Sequence, residues 1–152
     1  MDNNRKLSAS CVVIKDNKVL LVKQTYGAAK GKFLIPGGFS EDGELPQQTA
    51  EREVFEETGV TVEANDLLAV RFTAQEVWCI FDATYLKGEP TSDFVENDEA
   101  VFMPIEEMLV SDLIVETTRE IVKSVLNGNK AMLKKSKFVN ARFDSSTWQL
   151  FI

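Results

Sequence analysis

The chain has 152 residues, 17 basic against 24 acidic for a net charge of −7. One domain with one core fits that length, and the acidic balance argues against a basic surface for nucleic acid polymers or membranes. There is no histidine and there are two cysteines, which removes Ser-His-Asp and Cys-His nucleophilic catalysis, histidine metal sites and a structural zinc.

Acid–base or metal chemistry must then rest on Asp, Glu, Lys, Tyr or water. A carboxylate-only site selects hard, oxygen-loving ions, chiefly Mg²⁺ or Mn²⁺. The apolar runs are too short to span a bilayer, and "MDNNRKLSAS" has no apolar stretch before a cleavage site. Cys11 and Cys79 sit in apolar strand-like runs and read as buried free thiols. A reducing, cytoplasmic setting is expected.

In chain order, residues 10–24 hold two β-rich runs around "DNK", the pattern of a hairpin. "TYGAAKGK" is a loop, and "FLIPGG" a short strand stopped by Pro36 and the glycine pair. Pro46 to Thr58 is a helix, with proline allowed in the first turn and Gly59 as the stop; Leu45 is a poor N-cap. Residues 60–75 and 76–86 are strands. In the second, Val77, Cys79 and Phe81 alternate with Trp78, Ile80 and Asp82. "EAVFMPI" is a last strand, a short helix starts near Glu106, and residues 115–128 form another helix closed by Asn127–Gly128. Segment 129–152 has no assigned place, a packed final strand being its preferred form. The pattern implies an α/β (α+β) layered domain over 1–152 with a mixed sheet.

Between Glu41 and Glu57 stand seven carboxylates and one cation, Arg52. On a helix Glu53, Glu56 and Glu57 fall within roughly 100° of one another, where unrelieved i, i+4 acidic pairs cost about 0.2–0.5 kcal/mol each. Such a face is ordinarily solvated and laced with lysines; a divalent cation would turn its repulsion into coordination. Ala50 and Val54 lie beside it and are placed to pack on a sheet. Gly37 and Gly38 let backbone groups approach an ion or a phosphate, without the arrangement of a Gly-rich nucleotide loop.

From Gly38 to Val60 the spacing resembles the Nudix box, G-x5-E-x7-R-E-U-x-E-E-x-G-U, with U a bulky aliphatic residue. Gly38, Glu44, Arg52, Glu53, Val54, Glu56, Glu57, Gly59 and Val60 match every specified position. The resemblance implies an α/β/α sandwich and metal-dependent hydrolysis of a nucleoside diphosphate linked to another group. It makes Glu53 and Glu57 principal metal ligands, Glu56 a further or water-mediated ligand, and the Gly37 carbonyl a contributor. Gly38, Glu44 and Arg52 become the support of the site. In the family the general base is a glutamate of the box or of a later loop; here "FVENDEAVF" offers Glu96, Asp98 and Glu99, with Glu99 or Glu96 favoured. Relatives include dimers, so a homodimer is an open expectation.

Lys23, Lys30, Lys32 and Arg71 are candidates for phosphate contacts, each also readable as ordinary surface charge. Phe33, Trp78 and Tyr26 are candidates for base stacking, with packing the plainer role. ADP-ribose or a nucleotide sugar is the favoured substrate, although the downstream proline of many ADP-ribose hydrolases is missing from "RFTAQEVW". A nucleoside triphosphate is the alternative. A nucleotide sensor on the same scaffold is a different class, against which the complete carboxylate set counts. Isomerase chemistry fails for want of histidines, and an EF-hand for want of alternating ligands.

Overall fold

The computed structural model describes residues 4–128, 133–139, 141, 146, 150 and 151. Its elements are β1 (Lys6–Lys15), β2 (Lys18–Gln24), β3 (Phe33–Leu34), β4 (Gly37–Phe39), α1 (Pro46–Thr58), β5 (Thr61–Phe72), β6 (Glu76–Lys87), β7 (Asn97–Pro104), α2 (Ile105–Val110) and α3 (Glu116–Leu126). The expected hairpin is present. Asp16 and Asn17 take φ of 50° and 59° between β1 and β2, the double left-handed step of a two-residue turn that tolerates Asn and Asp.

The sheet is mixed. Along Lys6–Val13, β1 runs parallel to β6, and β6 is antiparallel to β5. On its other edge β1 pairs antiparallel with β4 through Ser8–Ser10, while β2 carries β3 and β7. "FLIPGG" is therefore two strands rather than one. Pro36 lacks the N–H a ladder needs, so the chain changes partner there: Phe33 and Leu34 join β2, and Gly37 and Gly38 join β1. The glycine pair lies in a strand, not in a loop.

Alternation along the strands feeds two cores. Cys11, Val13, Leu20 and Phe81 pack with Ala50 and Val54 of α1. Val12, Val19, Leu21 and Ile80 pack with Met108 of α2 and Val122 of α3. Both faces of the sheet are covered, which is why β1 and β2 read as continuous apolar runs. The α/β/α sandwich expected from the sequence is the observed architecture. Arg119 ties the second layer together by donating to the carbonyls of Met108, Leu109 and Ser111 at the end of α2.

The C-terminal segment lies partly outside the described residues, including most of "STWQLFI". Within them, the Leu67 N–H donates to the Leu133 carbonyl and Lys134 pairs with Asp66 on β5. Phe151 sits opposite Lys135, its ring centroid 5.6 Å from that of Phe81. Cys11 is buried and Cys79 half-buried, both free; burial pushes both thiols up, away from the reactive thiolate form. Among the described residues no helix is long and apolar enough to cross a membrane.

Candidate active site

α1 delivers the acidic side chains. Pro46 occupies its first turn, and the Leu45 N–H, which has no side-chain cap of its own, donates to Gln48 Oε1 at 2.8 Å, half of a capping box. Gly59 ends the helix at φ 71° and donates its N–H to the Phe55 carbonyl at 2.8 Å. Ala50 and Val54, both fully buried, seat the helix against the sheet. The turn beside them then meets β4, the strand of the two glycines.

That meeting is close. The Gly37 N–H donates to Glu57 Oε2 at 2.9 Å. A Cβ on Gly38 would lie 2.5 Å from the Glu53 carboxyl carbon and 2.5 and 2.7 Å from its oxygens, and one on Gly37 would collide with Ser10 and the Ala9 carbonyl. Neither glycine has positive φ. Lack of bulk, rather than backbone freedom, is what these positions require.

Arg52 braces the loop before the helix. Its Nε donates to Glu44 Oε1 at 2.6 Å, and its Nη2 to Glu44 Oε2 at 3.1 Å and to the Phe39 carbonyl at 2.9 Å. Nη1 reaches Glu53 and Glu56, each at 2.9 Å. Glu44 also accepts from the Glu41 N–H and the Thr49 hydroxyl. The Arg52 guanidinium, with those two donors, lowers the Glu44 carboxyl to about 2. These contacts join Glu44 and Arg52 to each other and to β4. Two further acids of this stretch are engaged: Glu51 accepts the Ala64 N–H at 2.9 Å, linking α1 to β5, and Glu41 lines the cleft.

Glu57 is only 7% exposed. Burial raises its carboxyl to about 8, with Glu53, Glu96 and Asp93 adding to the rise against the lowering Gly37 hydrogen bond. Burial likewise raises Glu53, opposed by Arg52. For stability the sign follows from proton binding. The native state holds a proton on Glu57 that the unfolded chain releases near pH 4.3. Metal-free protein should therefore lose stability as pH rises from about 4.5 to about 8. Thermal denaturation in a chelating buffer checks this; a melting temperature flat across that window would contradict it.

A cleft of about 500 Å³ opens above this floor. Of the sequence candidates, Gly37, Gly38, Arg52, Glu53, Glu56, Tyr26, Arg71, Trp78 and Glu96 line it. Others do not. Glu99 stands outside, paired with Lys23 at 3.1 Å; Phe33 is a core residue, 5% exposed; Lys30 and Lys32 belong to the exposed loop before β3. Glu96 is fixed from both sides. Asp93 Oδ1 accepts the N–H groups of Val95, Glu96 and Asn97, and the Thr25 hydroxyl donates to the Glu96 carbonyl. Buried Asn97 then donates from Nδ2 to the Glu57 carbonyl at 3.0 Å, tying this loop to α1. Ser8, Ser10, Phe39 and Glu76 complete the cleft unannounced by the sequence, because strand register alone brings them there.

A model of the NUDIX domain matches residues 4–125. The chain belongs to the NUDIX domain family. It is 44% identical over 59 residues to the ADP-ribose pyrophosphatase of Methanocaldococcus jannaschii, a match covering 39% of this chain and 35% of that protein. It is 29% identical over 108 residues to the NAD-capped RNA hydrolase NudC of Vibrio parahaemolyticus, covering 64% of this chain and 39% of that one. The matched region thus spans well under half of each of these curated relatives. Among solved structures it is similar to a NUDIX hydrolase from Nitrosomonas europaea, with TM-score 0.69 and 27% identity over 82% of this chain and 71% of that chain. A second, at 19% identity and TM-score 0.63 over 89% and 96% of the two chains, is an ADP-ribose pyrophosphatase from Streptococcus suis; it shows the fold.

The donor set suits a hard divalent ion. It is all oxygen, and the missing Cβ of Gly38 gives the Glu53 carboxylate room against the glycine strand. Among the described residues no three acidic side chains are already gathered as a metal cluster. Arg52 Nη1 holds Glu53 and Glu56 as ion pairs, while Glu57 accepts the Gly37 N–H. A cation would compete with Arg52 for Glu53 and Glu56.

Proposed function

We propose that this NUDIX domain protein is a metal-dependent pyrophosphohydrolase that cleaves a nucleoside diphosphate derivative, ADP-ribose or a nucleotide sugar. The observation that carries the reading is the contact of α1 with the glycine pair: Glu57 against Gly37 and Glu53 against Gly38, beneath a cleft of about 500 Å³. Mg²⁺ or Mn²⁺ held by Glu53, Glu56, Glu57 and the Gly37 carbonyl would neutralise diphosphate oxygens and lower the pKa of a bound water. Glu96 would accept a proton from the attacking water; its position on the cleft lining and the hydrogen bonds that fix its loop support that role. Arg52 and Glu44 keep the glycine strand and helix in register, so the reacting groups are oriented before substrate arrives.

Charge favours a diphosphate with an uncharged distal group over a triphosphate. Among the described residues lining the cleft, the cations are Arg52 and Arg71, both ion-paired, against Glu41, Glu53, Glu56, Glu76 and Glu96. The name of the M. jannaschii relative points the same way. A panel of ADP-ribose, nucleotide sugars and nucleoside triphosphates, assayed with Mg²⁺ or Mn²⁺, tests this. Release of a nucleoside monophosphate and a sugar phosphate is expected, with triphosphates at least about tenfold poorer in kcat/KM, the equivalent of about 1.4 kcal/mol. Faster triphosphate turnover to monophosphate and pyrophosphate would overturn the substrate choice. Tight binding of a panel member with no turnover of any would replace catalysis by sensing.

A further inference from the structure

Four strands present one residue each in a transverse row. Phe39 of β4 pairs with Ser8 of β1, Ser8 with Trp78 of β6, and Trp78 with Arg71 of β5. All four line the cleft. At the far end of the row the Arg71 guanidinium lies over the Trp78 ring, 4.7 Å from its centroid. The ring is pinned from behind, its Nε1–H donating to Ser10 Oγ at 2.9 Å. The guanidinium is held at its edge, Nη2 donating to Glu76 Oε2 at 2.6 Å, and Glu76 is held in turn by the Ser8 hydroxyl. The Arg71 side chain remains 44% exposed.

The sequence offers Arg71 as a phosphate contact, and the structure argues otherwise. A carboxylate 2.6 Å away cancels its charge and would repel a phosphate. What stays available is a flat, weakly hydrated cation stacked on an indole, a surface suited to another π-face. Three strand spacings, about 14 Å, separate it from the glycine strand where α1 brings its carboxylates. A nucleoside laid between them would put its diphosphate at one end and its base at the other. Resting on the hydrolase reading for the position of the diphosphate, we propose that Arg71 stacked on Trp78 is the nucleobase platform of this cleft, with Glu76 and Ser8 as its positioning residues.

Quenching of Trp78 fluorescence tests the platform without requiring turnover. In a Trp148→Phe background of the full chain, AMP should quench Trp78, and ribose 5-phosphate at the same concentration should not. Arg71→Ala and Arg71→Lys should each weaken AMP binding roughly tenfold, as loss of base stacking does, because lysine keeps the charge and loses the plane. Glu76→Gln should weaken AMP severalfold and regain affinity relative to Glu76→Ala, which cannot hold the guanidinium. Equal quenching by ribose 5-phosphate, or full affinity in Arg71→Lys, would mark a phosphate site and overturn the platform. Absence of AMP quenching in a protein that turns over nucleotide sugars would overturn the platform alone; quenching without any turnover would uphold it while removing the hydrolase reading.

Discussion

Glu57→Gln should abolish most metal-dependent turnover while leaving the fold intact. The amide keeps an oxygen for the Gly37 N–H, now 2.9 Å from the carboxylate, so the contact between helix and strand survives. What disappears is a negative charge on a side chain only 7% exposed. The expected loss in kcat/KM is at least about 100-fold, the upper end of what removing even an outer partner costs a metal site. The same substitution should raise the melting temperature of metal-free protein at pH 8, because the wild-type carboxyl, raised to about 8 by burial, must partly ionise there in a poorly solvated place. A variant that loses activity and gains metal-free stability identifies Glu57 as a residue held for its charge. Unchanged turnover at saturating Mg²⁺ would defeat the ligand assignment.

Arg52→Ala should be the most destabilising single change in the site. Arg52 joins Glu44, Glu53 and Glu56 and also holds the Phe39 carbonyl. Its side chain is 21% exposed, Glu44 18% and Glu53 12%, so the pairs are largely shielded, and removing the cation leaves carboxylates facing one another. Breaking a buried pair in this way costs about 3–5 kcal/mol. With part of the network still wetted, about 3 kcal/mol is expected, a fall in melting temperature of about 6–12 °C for a chain of this size. Thermal denaturation of Arg52→Ala, Glu44→Gln and the double variant separates the pair from its parts. The double variant should be less destabilised than the sum of the singles. A fall below about 2 °C in Arg52→Ala would show that Arg52 is not the brace.

The metal-face candidates were legible in the sequence because they obey a local rule. Glu53, Glu56 and Glu57 share a helix face by spacing alone, and Pro46 and Gly59 mark that helix at both ends. The hairpin was equally local, since Asp16–Asn17 supplies the two left-handed residues it needs. Strand-level detail was less accessible. "FLIPGG" gives no sign that its halves belong to different partners, because the partners are distant in sequence. Glu96 and Glu99 were indistinguishable in "FVENDEAVF". Only the pairing of β7 with β2 sends Glu99 out to Lys23, while the Asp93 turn keeps Glu96 at the cleft.

The sequence by itself determined the family resemblance, the α/β/α expectation and the candidate acids of α1, all encoded within 23 consecutive residues, Gly38 to Val60. Tertiary structure decided the opposite wall. Ser8, Phe39, Arg71 and Trp78 come from four strands and meet through register. A strand residue's neighbours lie across the sheet rather than along the chain, so no spacing in one segment could announce that row. Helix periodicity writes one wall of the cleft into a short stretch of sequence; sheet pairing assembles the other from pieces up to 70 residues apart.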